Sequence, residues 1–149
     1  MKLIVASDPS GGIGYNNRLP WGKLQGDLPR FKELTTNEIV VMGRNTWESL
    51  PKKPLPNRTN IVLTSKILDN LPKKVIVASK LDFITDDAWI IGGAKLINSC
   101  WDRINEVHLS LTKSQYTCDT FIDLVYLHKN YNLTHTTDCS DHIYQIWKR

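Results

Sequence analysis

Val41-Met42-Gly43-Arg44-Asn45-Thr46-Trp47 and its echo, Ile90-Ile91-Gly92-Gly93-Ala94-Lys95, each carry an apolar strand directly into a helix start through glycine. A helix start presents unpaired N–H groups and a positive dipole end, which suits phosphate. Arg44 adds a fixed cation and Thr46 a hydroxyl donor. The paired Gly92 and Gly93 lack Cβ atoms and allow backbone to approach a flat ligand closely. A plain strand–helix turn accounts for either segment taken alone. Two of them at the carboxyl ends of strands in one sheet favour a nucleotide in the crevice there. Neither is the GxGxxG fingerprint, so a standard Rossmann domain is not supported. Gly11-Gly12-Ile13-Gly14 is a third glycine-rich site, suited either to a lid over a ligand or to a surface loop.

Outward from these segments, Lys2 to Ser7 is a continuous apolar run of the kind buried on both faces of a sheet. Asp8 to Arg18 reads as loop. A helix is expected from about Asp27 to Thr35, a strand over Glu38 to Gly43 and a short helix over Arg44 to Ser49. Pro51, Pro54 and Pro56 forbid regular structure until a strand at Asn60 to Thr64. Val75 to Ala78 and Trp89 to Gly92 are further strands, and the compact stretch from Lys66 to Trp89 leaves room for at most a short helix. Ala94 to Trp101 is expected to be helical. Glu106 to Thr112 alternates apolar and polar residues, and Tyr131 to Asp138 with Ile143 to Trp147 reads as a hairpin around Ser140-Asp141. The pattern predicts a single-domain α/β fold over residues 1–149: a mostly parallel central sheet of about eight strands, flanking helices and an antiparallel C-terminal edge.

Bulk properties narrow the partners. Of the 149 residues, 41% are hydrophobic and 23% charged, ordinary values for a soluble domain able to bury a core without disulfides or metal. Cys100, Cys118 and Cys139 cannot all pair and show no CxxC spacing, which suggests reduced thiols in a cytoplasm-like compartment and argues against a zinc site. The four histidines form no metal motif. No signal peptide or membrane-length apolar run is evident. A net charge of +4 and a pI near 9.0 admit an anionic partner, but the basic residues are not interleaved with aromatics as RNA readers require.

One carboxylate stands out. Asp27 follows the loop closed by Leu19-Pro20-Trp21 and opens a segment in which Leu28, Phe31 and Leu34 recur at helical spacing. Two readings compete: an N-cap for the helix, or a half-buried carboxylate that hydrogen-bonds a polar ring and manages its protons.

Taken in order, these segments resemble dihydrofolate reductases over nearly the whole chain. The matches are Ala6, Ile13-Gly14, Leu19-Pro20-Trp21, Asp27-Leu28 with Phe31-Lys32, Met42-Gly43-Arg44 with Thr46-Trp47-Glu48-Ser49, Leu55-Pro56-Asn57-Arg58-Thr59-Asn60, Ile91-Gly92-Gly93 and Asp119-Thr120-Phe121. Each is weak alone; their order and spacing are highly specific and favour the functional reading of Asp27. The resemblance implies NADPH-dependent reduction of 7,8-dihydrofolate to tetrahydrofolate, with hydride reaching C6 and a proton N5, in support of one-carbon metabolism and thymidylate synthesis. It implies that Asp27 binds the 2-amino group and N3 of the pterin, that Ser110 steadies this carboxylate, and that Leu19 and Trp21 complete the catalytic set. Ile4, Val5, Leu28, Phe31, Leu50, Leu55 and Ile91 would line the substrate slot, and Arg58 would clamp the glutamate tail.

By the same resemblance, Ala6, Ile13, Gly14, Gly43, Arg44, Asn45 and Thr46 would hold NADPH from one side. Thr64, Ser65, Lys66, Gly92, Gly93, Ala94, Lys95 and Leu96 would hold it from the other, with a cis Gly92–Gly93 bond. A cytoplasmic monomer acting on small molecules, with no nucleic-acid or membrane partner, is expected. Three departures stand out: Ala94 where a third glycine is common, a loop before Asp27 longer by one residue, and the compact stretch after Lys66. None removes a chemical group. A reductase of the same fold acting on a pyrimidine precursor of riboflavin would need neither Asp27 nor Arg58. A non-catalytic folate- or nucleotide-binding protein would keep both.

Overall fold

β1 (Lys2–Ser7) lies near the middle of an eight-stranded sheet in the computed structural model, which describes residues 1–149. The chain continues through β2 (Gly12–Gly14), α1 (Asp27–Thr35), β3 (Ile39–Gly43), α2 (Arg44–Ser49), β4 (Thr59–Leu63), β5 (Ile76–Ala78), β6 (Trp89–Gly92) and α3 (Ala94–Ser99). β7 (Glu106–Thr112), β8 (Thr120–Phe121), α4 (Leu124–Asn130), β9 (Asn132–Asp138) and β10 (His142–Lys148) complete it. The sheet order is β5-β4-β3-β6-β1-β7-β10-β9, with a separate β2-β8 pair. Every pairing from β5 to β7 is parallel, whereas β10 runs antiparallel to both β7 and β9.

This order creates a switch point. From β1 the chain crosses to β3 on the far side of β6, and from β6 it crosses back to β7 on the far side of β1. Pairing between β1 and β6 ends at Leu3–Ile90, and beyond it the two strands part. Crevices outside the carboxyl ends of parallel strands open at such points.

Strand alternation sorts side chains onto two faces. Leu3, Val41, Ile90, Val107 and Leu109 join Leu96, Ile97, Trp101, Leu127 and Tyr131 in the larger core, on the side of α3 and α4. Val40, Met42, Val62 and Trp89 pack with Trp47 on the opposite side, where Ile4, Leu34, Leu50, Leu55 and Ile91 lie partly buried against them.

Most expected elements appear within a residue or two of their sequence bounds; α1 and α2 match throughout. The helix expected to reach Trp101 stops at Ser99, because Cys100 leaves helical geometry and Trp101–Arg103 forms a single 3-10 turn. Between Lys66 and Trp89 the only helical piece is a 3-10 turn at Leu81–Phe83. The loop expected over Asp8 to Arg18 contains β2, too short to show a period. α4 was not expected; Asp123 caps it by accepting from Tyr126 N at 2.9 Å.

Candidate active site

Asp27 stands at the first helical position of α1, and Gly26, at φ 80, is the N-cap. The carboxylate therefore does not cap its own helix, which removes the structural alternative. Its side chain is 28% exposed, and Oδ1 accepts a hydrogen bond of 2.5 Å from Ser110 Oγ on β7. Ser110 is 5% exposed and 83 residues away in sequence, so the pair forms only when α1 lies across the sheet. Phe31, Leu34, Leu50, Leu55, Ile4 and Ile91 line the same face as partly buried side chains. This is an apolar slot with one acidic group.

At one end of the slot, Arg58 is fixed by its own loop. Nε donates to Pro56 O at 2.9 Å and Nη1 to Thr35 Oγ1 at 3.2 Å, with the guanidinium 5.9 Å from the Phe31 ring centroid. Burial pulls the guanidinium below its ordinary value, though arginine stays cationic. Nη2 and the second hydrogen of Nη1 remain to meet a carboxylate. Asn60, 2% exposed, ties this loop together: its side chain accepts from Leu55 N and donates to Leu55 O and Arg58 O.

Across the crevice, the Gly92–Gly93 bond is cis, and Gly92 has φ 132. A Cβ on Gly92 would lie 3.2 Å from Thr46 Oγ1, so glycine is required both by conformation and by the approach of α2. Gly43 and Gly93 serve as N-caps of α2 and α3 without side-chain capping bonds, leaving helix-start donors for a phosphate-bearing ligand. Arg44 Nε donates to Glu48 at 2.9 Å, which orients the guanidinium and leaves both Nη groups. Ser65 and Lys66 lie exposed after β4. A dinucleotide fits these residues. An open hollow of about 380 Å³ separates Asn16, Asn17 and Arg18 from Asn45, Glu48 and Ser49, and another of about 480 Å³ adjoins Tyr15, Leu19 and Pro20.

Not every expected residue joins the site through its side chain. Val5 turns to the opposite face and packs in the larger core, because it alternates with Ile4. Leu96 is 7% exposed within that same core. Ile13 and Ala94 pack against its edge. Only the backbone of Val5 and Leu96 remains for a ligand. Leu19 and Leu28 are 53% and 60% exposed at the rim, whereas Trp21 is held edge-to-face against Tyr116 at 5.5 Å.

A family model described as dihydrofolate reductase matches residues 1–146. The chain belongs to the dihydrofolate reductase family. It is similar to the dihydrofolate reductase type 8 of Escherichia coli, with 34% identity covering 100% of this chain and 95% of that protein. Staphylococcus aureus dihydrofolate reductase is 36% identical over 81% of this chain and 76% of its own length. The bifunctional dihydrofolate reductase-thymidylate synthase of Paramecium tetraurelia is 39% identical over 87% of this chain, which spans only 28% of that longer protein. Among solved structures, Enterococcus faecalis dihydrofolate reductase, complexed with NADP(H) and RAB-propyl, superposes with a TM-score of 0.81 at 30% identity, covering 99% and 95% of the two chains. Dihydrofolate reductase activity with NADPH is thus the activity of this chain.

The structure also shows polar groups to which the sequence assigns no role. Asp8, 1% exposed, accepts from Ser10 N, Gly12 N and Tyr116 N, and Asp119 accepts from Asn16 N at 2.9 Å while its own N–H donates to Gly14 O. These bonds hold the glycine loop against the segment before β8. The run Asp8-Pro9-Ser10-Gly11 is a turn signal that foretold part of this.

On the Asp27 face of β7, His108 is 6% exposed between Tyr144 and Glu106. Burial pushes its pKa below the ordinary 6.5, outweighing Glu106, so the ring is neutral: Nε2–H donates to Glu106 at 2.7 Å and Nδ1 accepts from Tyr144 OH. An unfolded chain would protonate this histidine near its ordinary pKa while the native one does not, so stability falls as the medium is acidified below about pH 6.5. The urea midpoint is expected to drop between about pH 7.5 and about pH 5.5, and to drop less in His108→Gln. Equal drops would show that another group carries the effect.

Proposed function

We propose that the crevice between β1 and β6 brings the pterin of dihydrofolate onto Asp27 and the nicotinamide of NADPH onto the Gly92–Gly93 strand end. The observation that supports this most is the Asp27–Ser110 pair on the wall of an apolar slot at the switch point of the sheet. Bound NADPH supplies the hydride that reduces C6 of dihydrofolate while N5 gains a proton. Asp27 accepts from the 2-amino group and N3 of the pterin, raises the proton affinity of the ring and helps a water deliver the proton. Ser110 keeps Oδ1 in place. Ile4, Ile91, Phe31, Leu50 and Leu55 exclude water from the reacting ring, and the carbonyls of Ile4 and Ile91 orient its edge. Arg58 meets the α-carboxylate of the glutamate tail through its fork.

The cofactor is proposed to lie along Ala6, Ile13, Gly14 and the turn from Gly43 to Thr46, then across Gly93 to Lys95. Arg44, with Ser65 and Lys66 just past the end of β4, reads the 2′-phosphate, and Thr64 holds the cofactor beside them. Leu19 and Trp21 close the loop over both ligands. All these groups come from one sheet and its connections, which supports a single domain over residues 1–149 acting as a monomer. Three free cysteines support a reducing, cytoplasmic setting, and no helix is long and apolar enough to cross a membrane.

NADPH oxidation in the presence of dihydrofolate is expected to exceed NADH oxidation in kcat/KM by about one to two decades, the scale of a hydrogen bond to a charged group of roughly 1.5–3 kcal/mol. Arg44→Ala should erase most of that preference. An unchanged preference in the variant would show that the phosphate is read elsewhere.

A further inference from the structure

Behind Asp27, a second polar assembly joins α1 to the turn between β9 and β10. Arg30, one turn on from Asp27, places Nη1 3.8 Å from Asp27 Oδ1, within ion-pair range but beyond a hydrogen bond. The same Nη1 instead reaches His142 Nε2 at 3.3 Å, Nη2 reaches Cys139 Sγ at 3.6 Å, and the guanidinium lies 4.0 Å from the Tyr144 ring centroid. Arginine can only donate, which assigns the lone pair of His142 to Nε2 and its proton to Nδ1. Nδ1 meets Asp141 Oδ1 at 2.7 Å, and Asp141 Oδ2 accepts from Gln25 N at 3.0 Å in the loop that leads into α1. Ser140 Oγ donates to Gln25 Oε1. His142 is fully buried, so its ring has no alternative partner in water.

We propose that His142 is a positioning residue that holds the Arg30 guanidinium back from Asp27 and so keeps the carboxylate open for the pterin. A guanidinium fork is itself a good match for a carboxylate. Left unanchored at this distance, Arg30 turns onto Asp27 and occupies the oxygens that the 2-amino group and N3 of the substrate need. Ser110 cannot prevent this, because it engages Oδ1 alone. Asp141 fixes the tautomer of His142, and Tyr144 supports the guanidinium from its face, so the C-terminal hairpin turn acts on substrate binding without touching substrate.

The inference rests on Asp27 being the pterin-binding carboxylate, and a double-mutant cycle tests it. Dihydrofolate and NADPH dissociation constants and single-turnover hydride transfer are measured for the parent, His142→Leu, Arg30→Met and the double variant, with Asp27→Asn alongside. His142→Leu should weaken dihydrofolate binding by about tenfold with NADPH affinity unchanged, and adding Arg30→Met should restore it to within about twofold of Arg30→Met alone, a coupling within the usual range for residues in one network. Should His142→Leu not accumulate as folded protein, Asp141→Ala at the half-exposed turn should show the same sign at about threefold, again relieved by Arg30→Met. A double variant no better than His142→Leu, or a parallel loss of NADPH affinity, would show that the cluster only packs helix to hairpin. Parent-like dihydrofolate binding by Asp27→Asn would instead overturn the site assignment itself.

Discussion

Replacing Asp27 with Asn is expected to slow hydride transfer near neutral pH by about 10²–10⁴-fold, the range of a lost acid–base group. The carboxamide is nearly isosteric, and its oxygen still accepts from Ser110 Oγ. Its nitrogen can only donate, however, and therefore faces the donor edge of the pterin with the wrong polarity. Stability should change little. Gly26 rather than Asp27 caps α1, so the fold loses the favourable placement of an acid in the first turn, about 0.3–1 kcal/mol, and the partly exposed ion pair to Arg30 at 3.8 Å. Single-turnover NADPH oxidation and a urea melt of the same variant separate the two effects. Turnover like the parent at neutral pH would remove Asp27 from the mechanism.

Arg58→Leu is expected to weaken dihydrofolate binding by on the order of 1.5–3 kcal/mol, or about one to two decades. Two of its donors are already engaged by Pro56 O and Thr35 Oγ1, so the side chain is held in place before a ligand arrives and loses little freedom on binding. NADPH affinity should stay near that of the parent. A folate analogue without the glutamate tail should bind variant and parent alike, in calorimetric titrations of both. Equal losses for the tail-free analogue and dihydrofolate would mean that Arg58 supports the slot through Thr35 and Phe31 rather than clamping the tail.

Elements with a strong local pattern were legible in the sequence, whether an apolar run, a period-two alternation or a helix start directly behind a glycine. Lys2–Ser7, Arg44–Ser49, Trp89–Gly92 and Glu106–Thr112 stand where local pattern puts them. The short pieces were not: β2 and β8 exist through their pairing, and α4 buries only Leu124 and Leu127. The candidate site was legible wherever its motif is contiguous, as at Gly92–Gly93 or Leu55–Asn60. The face to which Val5 points follows from register, which the run of apolar residues over β1 does not encode. The Arg30–His142 contact joins residues 112 apart, and nothing in the spacing of either signals the other.

The most direct test of where chemistry occurs is a crystal structure of the chain with folate and NADP⁺ bound together. The expected result is the pterin 2-amino group and N3 on the Asp27 carboxylate, the nicotinamide against Gly92–Gly93, and the glutamate α-carboxylate on Arg58. A pterin seated away from Asp27, or a nicotinamide outside the β1–β6 crevice, would contradict the assignment of this site.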